Sequence, residues 1–123
     1  MKHLLKYTWA VIVFVLLSTS VSWGGEKINW SDLIERDKLY YQKSHESPFT
    51  GEVFGTNNGQ LLNGIKEGRW LKFYSNGNLW TKEFFKQGKR NGAYEWYWGN
   101  GQLYFKVRNE NDIAEGTAEY YYP

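Results

Sequence analysis

Glycine recurs at a fixed interval along this chain: Gly68, Gly92 and Gly116 are 24 residues apart, and so are Gly77 and Gly101. The segment GRWLKFYSNGNLWTKEFFKQGKRN (68–91) aligns with GAYEWYWGNGQLYFKVRNENDIAE (92–115), and a partial copy, GTAEYYYP (116–123), follows. A shortened copy, GEVFGTNNGQLLNGIKE (51–67), precedes them with seven residues fewer. Each of the first three holds an Asn-Gly pair: Asn58-Gly59, Asn76-Gly77 and Asn100-Gly101. Asn-Gly tolerates φ > 0 at both central positions of a two-residue type I′ turn, whose twist suits two flanking strands. Each copy therefore reads as a β-hairpin turning there.

Those turns set a register. With Asn76-Gly77 at the tip, Tyr74 faces Leu79, Phe73 faces Trp80, Lys72 faces Thr81 and Trp70 faces Glu83. In the next copy Trp98 faces Leu103, Tyr97 faces Tyr104, Trp96 faces Phe105, Glu95 faces Lys106 and Tyr94 faces Val107. Strand side chains alternate between faces. Tyr94, Trp96, Trp98, Leu103, Phe105 and Val107 then form a core face, while Ala93, Glu95, Tyr97, Tyr104, Lys106 and Arg108 face water. The opposite charges of Glu95 and Lys106 meet across the strands, which supports this register. On the wet face Phe73, Trp80, Tyr97, Tyr104 and Tyr121 fall in one file near the tips. The file is the candidate partner-binding surface; the competing reading makes it cross-strand pairs that hold a thin sheet together. A single layer needs its apolar face covered, and Trp23 to Lys43 offers Ile28, Trp30, Leu33, Ile34, Leu39 and Tyr40 for it. Ser31-Asp32 is placed to cap a short helix there, with Glu35 in its first turn. The last copy supplies one strand, so an open C-terminal edge is expected, available to a second copy of the chain or to a partner segment.

Composition reads all-β. Aromatic residues make up 20% of the 123, with 13 Gly and 2 Pro, a mixture suited to strands and tight turns. The length allows one domain. Ahead of it, Lys2, His3 and Lys6 precede the apolar Tyr7 to Leu17 and then Ser18-Thr19-Ser20-Val21-Ser22, the three parts of a secretory signal peptide spanning 1–22, or 1–24 if cut before Gly25. Residues 23–50 are the entry and cover segment, and 51–123 the hairpin repeats. The protein is expected to be exported to the periplasm or beyond; the alternative is anchorage by an uncleaved Leu4 to Val21, which is 18 residues. Cysteine is absent, which removes disulfides, thiolate metal sites and lipoprotein anchoring.

Little in the chain points to catalysis. After removal of Lys2 and Lys6, thirteen basic residues balance thirteen acidic ones, so nucleic acid is not an expected partner. His45 is then the sole histidine, too few for a His-based metal cluster or triad. Ser44-His45-Glu46 are adjacent and do not converge. Gly88-Lys89-Arg90 lacks the rest of a phosphate loop. Asn109-Glu110-Asn111-Asp112 begins like a calcium loop, but Ile113 stands at a ligand position and the closing Glu is missing. Glu35 and Asp37 read as solvated carboxylates. No cofactor, metal or enzymatic activity is expected.

The repeats resemble the MORN-variant family, whose unit runs approximately G-x-W-x-x-Y-Y-x-N-G-x-L, an aromatic, then G-K-x-x-G. Gly68, Trp70, Phe73, Tyr74, Asn76, Gly77, Leu79, Phe85, Gly88, Lys89 and Gly92 match it. The second copy keeps Gly92, Tyr97, Trp98, Asn100, Gly101 and Leu103 and then departs, with Asn109 for the aromatic and Asp112-Ile113 for Gly-Lys. Asp32 to Arg36, Leu39-Tyr40-Tyr41 and Pro48-Phe49-Thr50-Gly51 are similar to the entry segment of secreted bacterial members named YwqK-family antitoxins. The resemblance implies a single-layer antiparallel sheet of stacked hairpins, acting as a non-catalytic module of the cell envelope for protein-protein contacts. The alternative use of the same rings is peripheral binding to membrane lipid at headgroup level.

Overall fold

The computed structural model describes residues 25–123, so the expected signal peptide lies outside the described residues. The chain is all-β. Its main sheet is mostly antiparallel and built of hairpins from β4 (Gly51–Phe54), β5 (Asn57–Leu62), β6 (Ile65–Phe73), β7 (Leu79–Lys86), β9 (Gly92–Tyr97), β10 (Leu103–Glu110) and β11 (Ile113–Tyr120), adjacent in that order. The two-residue β8 (Lys89–Arg90) pairs with β7. At the other edge β1 (Lys27–Asn29) joins β4 in parallel, with Ile28 opposite Val53, a pairing the hairpin pattern did not predict. A separate hairpin, β2 (Leu33–Arg36) and β3 (Leu39–Gln42), completes the fold. Among the described residues no helix is long and apolar enough to cross a membrane.

The hairpin tips differ from the two-residue turns expected. The Tyr74 carbonyl accepts from Gly77 N–H at 3.0 Å and Tyr74 N–H donates to the Asn78 carbonyl at 2.8 Å, which makes Ser75-Asn76-Gly77 a three-residue loop. Trp98 repeats this with Gly101 (2.9 Å) and Gln102 (2.8 Å). Gly77 and Gly101 have φ of 88° and 92°, whereas Asn76 and Asn100 keep negative φ. The asparagines act through their side chains: Asn76 Oδ1 accepts from Asn78 N–H at 2.9 Å and Asn100 Oδ1 from Gln102 N–H at 3.0 Å. A type I turn closed by a left-handed glycine is the three-residue alternative to type I′.

Two-residue turns with φ > 0 at both positions do occur, at the opposite ends of the hairpins. They are Asn63-Gly64, Gln87-Gly88 and Asn111-Asp112, spaced by 24, and Asp37-Lys38 in the small hairpin. Asn111-Asp112 forms its turn without any glycine, so the sequence departure of the second copy leaves its outer turn intact.

Asn58-Gly59 is not a turn. Both residues lie inside β5, with Asn58 opposite Leu71 and Gly59 opposite Val53, and the chain reverses instead at Gly55-Thr56 and at Asn63-Gly64. The glycine is needed for a close approach. A Cβ at position 59 would stand 2.2 Å from the Trp70 indole, which lies flat on that backbone and donates its N–H to the Gln60 carbonyl at 3.2 Å.

Trp70 belongs to a core with Ile28, Phe49, Val53 and Leu61, against which Trp30, Leu33, Tyr40 and Phe85 pack. Burying each such side chain contributes about 1.5–3 kcal/mol. The short helix expected at Ser31-Asp32 is a single 3-10 turn, Trp30–Asp32, capped by Asn29, whose Oδ1 accepts from Ser31 N–H at 3.0 Å. The following residues pair as β2 and β3 because Asp37-Lys38 reverses the chain after one short strand. This cover sits over Trp70 at one end of the sheet.

Gly59→Ala is expected to destabilise the fold by about 3 kcal/mol, through forced displacement of a buried indole. Gly77→Ala, which meets open space but a positive φ, should cost about 1 kcal/mol. Urea unfolding measures both, and Trp70→Leu added to Gly59→Ala should recover part of the loss. Equal effects of the two glycine changes would contradict the packing role.

Candidate interaction face

A three-residue loop shifts the pairing by one, and each hairpin restores it with one extra residue. Phe73 pairs with Leu79 but Lys72 with Thr81, so Trp80 is bulged; Tyr97 pairs with Leu103 but Trp96 with Phe105, so Tyr104 is bulged. Beyond the bulge the expected partners meet, Trp70 with Glu83 and Glu95 with Lys106, whose charged atoms stand 3.8 Å apart. Before it the expected pairs Phe73–Trp80, Tyr97–Tyr104, Tyr74–Leu79 and Trp98–Leu103 do not form.

A bulge breaks the alternation of side chains. Trp80 and Thr81 line one groove, and Tyr104 and Phe105 both lie against Tyr120, at 5.8 and 4.9 Å between ring centroids. Trp80 stacks on Tyr74 (5.0 Å, 18° between planes), and Tyr104 packs on Trp98 (4.4 Å) and Trp96 (4.9 Å). The expected file therefore divides. Trp80 and Tyr104 join the face read as core, whereas Phe73, Tyr97 and Tyr121 lie on the opposite one, where Tyr97 and Tyr121 donate their hydroxyls to Glu95 and Glu119.

Among the described residues, the first of these faces is covered at one end only. There the cover supplies Trp30 and Tyr40, which with Trp70 and Phe85 surround the Lys66 ammonium, 4.9–5.7 Å from the four ring centroids. Burial pushes this ammonium below its usual pKa and the Glu83 carboxylate draws it partly back. Beyond the cover a groove of about 410 Å³ is lined by Lys72, Trp80, Thr81, Glu83, Arg90, Tyr94 and Trp96. Arg90 Nε binds Glu83 Oε1 at 2.8 Å, and Lys72 Nζ lies 4.1 Å over the Trp80 ring.

Farther along, the face is aromatic. Tyr74, Trp98 and Tyr122 occupy equivalent repeat positions 24 residues apart, and Tyr122 lies 6.4 Å from Tyr104. Trp98 is 37% and Tyr122 78% exposed. Neighbouring hairpins are tied at the tips: Tyr74 O–H donates to the Tyr97 carbonyl at 2.7 Å, and the Asn76 and Asn78 amides both donate to the Gly99 carbonyl, at 2.9 and 2.8 Å. Alternation from a two-residue turn sets Tyr74 opposite Leu79 and Trp98 on the core face, and no Asn-Gly follows Tyr122, so the sequence does not single these three out as a surface. The available signal is a residue before Asn-Gly that can continue a type I turn, Ser75 or Gly99.

On the opposite face a wider depression of about 590 Å³, lined by Glu52, Phe54, Asn58, Gln60, Glu67, Arg69 and Leu71 among others, lacks stacked rings. Among the described residues no group of three or more His, Cys, Asp or Glu could hold a metal ion. No protein-family model, no curated protein and no solved structure matches the chain.

Partial burial, then the hydrogen bond to Glu95 and its charge, push the Tyr97 hydroxyl up to about 12. The folded state thus holds this proton more tightly than the unfolded chain does. The stability it contributes is complete below pH about 10 and is lost as pH rises toward about 12. The thermal midpoint of the wild type should fall more steeply across that window than that of Tyr97→Phe; parallel curves would contradict the assignment.

Proposed function

We propose that this protein is an exported, non-catalytic repeat module of the MORN-variant kind that binds a protein partner through the aromatic face at the hairpin tips. The single observation behind this reading is the mismatch between cover and sheet. Among the described residues the cover stops over Trp70; beyond it Tyr74, Trp80, Trp96 and Tyr104 are half-buried against one another, while Trp98, Tyr120 and Tyr122 stay exposed although they share a face with the core. Exposed aromatics grouped on a rigid support are what partner surfaces use. The hairpin repeat of 24 residues supports the family resemblance, and the apolar segment at 7–17 supports export.

Self-association through the outer edge of β11 is the lesser route. Between Arg108–Glu115 and Lys106–Glu119 the residues Gly116, Thr117 and Ala118 stand opposite Val107 alone, so the edge carries a wide bulge flanked by two carboxylates. Bulges and charges on an edge oppose strand addition.

The test is capture from an envelope extract with wild type, with Trp98→Ala/Tyr122→Ala, and with the opposite-face pair Phe73→Ala/Tyr121→Ala, after circular dichroism shows that all three are folded. Capture should be lost in the first double variant and kept in the second. Co-sedimentation with anionic liposomes that depends on Trp98 and Tyr122 would replace the protein-partner reading with the lipid one.

A further inference from the structure

Resting on the reading of this face as a partner site, we infer that its occupant is a proline-rich segment in the polyproline II conformation, carrying acidic residues where it meets the groove beside the cover. The argument begins with spacing. Tyr74, Trp98 and Tyr122 lie at every second strand across the sheet, one residue past β6, one past β9 and two past β11. Two strand spacings are about 9.6 Å. A polyproline II helix presents the same face every three residues, or about 9.3 Å, so successive turns meet successive ledges within a few tenths of an ångström. An extended strand repeats every two residues, about 6.8 Å, and falls out of step at the first ledge. An α-helix returns to the same face after seven residues, about 10.5 Å, and is about 2 Å out of step by the third ledge. Sheet twist turns neighbouring ledges by about 45°, which a rod without internal hydrogen bonds follows through small dihedral changes.

Hydrogen-bond chemistry points the same way. The indole N–H groups of Trp80, Trp96 and Trp98 have no acceptor among the described residues, whereas Trp70 has one. A polyproline II segment leaves its carbonyls unpaired and, at proline, brings no N–H that needs an acceptor. Aromatic grooves with free indole donors are the surfaces that such segments dock on. Charge then orients the segment. Near the cover Lys66, Lys72 and Arg90 line a groove with one carboxylate, Glu83, which Arg90 already engages at 2.8 Å, while outside that lining Glu35 acts on Lys66 and Asp112 on Arg90. Lys72 makes no salt bridge among the described residues, so a glutamate or aspartate at that end of the segment finds a cation held over Trp80.

The probe is a fluorescein-labelled peptide of nine prolines, about 28 Å long, with two glutamates at each end, titrated by fluorescence anisotropy with the full mature chain. Binding should weaken at least tenfold with Trp98→Ala, weaken several-fold with Lys72→Ala and with added salt, and stay unchanged with Tyr121→Ala. Lysines in place of the glutamates should weaken it at least tenfold, and glycine-serine in place of the prolines should abolish it. Equal binding of the glycine-serine peptide, no binding of the proline peptide at about millimolar concentration, or Trp98-dependent binding of a soluble oligosaccharide instead would overturn the inference. Partner capture that needs Trp98 and Tyr122 without proline-peptide binding removes the peptide class alone; loss of both removes the interaction site itself.

Discussion

A hairpin loop of three residues offsets its strands by one position relative to a loop of two, and a sheet of stacked hairpins tolerates that offset only if it is corrected before the strands meet their neighbours. Here one bulged residue per hairpin corrects it, Trp80 in one copy and Tyr104 in the next. Beyond the bulge β7 meets β9 with Thr81 opposite Trp96 and Lys82 opposite Glu95, so the copies join in phase. The correction also turns a bulky ring to the side occupied by Tyr74 or Trp98. The stacked rings at the tips and the register of the whole sheet are thus two results of one local constraint.

The same face is used differently at its two ends. Near the cover, Trp70 lies directly on the Gly59 backbone, and Trp30 and Tyr40 close over it around the Lys66 ammonium. Cation–π contacts of this kind contribute about 0.5–2 kcal/mol each at most, and the desolvation that lowers the Lys66 pKa works against them. Apolar burial of Trp70, Leu61 and Val53 therefore stabilises that end more than the charge does. At the far end no element covers the rings among the described residues. Their packing on one another and the hydrogen bonds that the Asn76 and Asn78 side-chain amides donate to the Gly99 carbonyl hold them in place and leave Trp98 and Tyr122 exposed.

Much of this is legible in the repeat. The all-β hairpin architecture, and the facing of Trp96 with Phe105 and Glu95 with Lys106, follow from period and alternation, because a three-residue loop plus one bulged residue gives the same pairing as a two-residue loop. What that coincidence conceals is the side on which Trp80 and Tyr104 emerge. Asn58-Gly59 misleads for another reason: glycine that makes room for an indole is identical in sequence to glycine that allows a turn. The true turn at Asn63-Gly64 is masked because the shortened copy holds two Asn-Gly pairs, and only the first aligns with the tips of the longer copies. Ser31-Asp32 suits a helix start and a 3-10 turn equally well, and the strand pairing of Leu33–Arg36 with Leu39–Gln42 decides between them.

The tip bulges place Trp80 and Tyr104 on the same face as Tyr74 and Trp98. Nuclear Overhauser contacts between aromatic protons in the isotopically labelled protein test it most directly. Strong contacts between the Trp80 indole and the Tyr74 ring, and between the Tyr104 ring and the Trp98 indole, are predicted, with none between Phe73 and Trp80. Direct Phe73–Trp80 and Tyr97–Tyr104 contacts in their place would show a two-residue turn with unbroken alternation and would contradict the account.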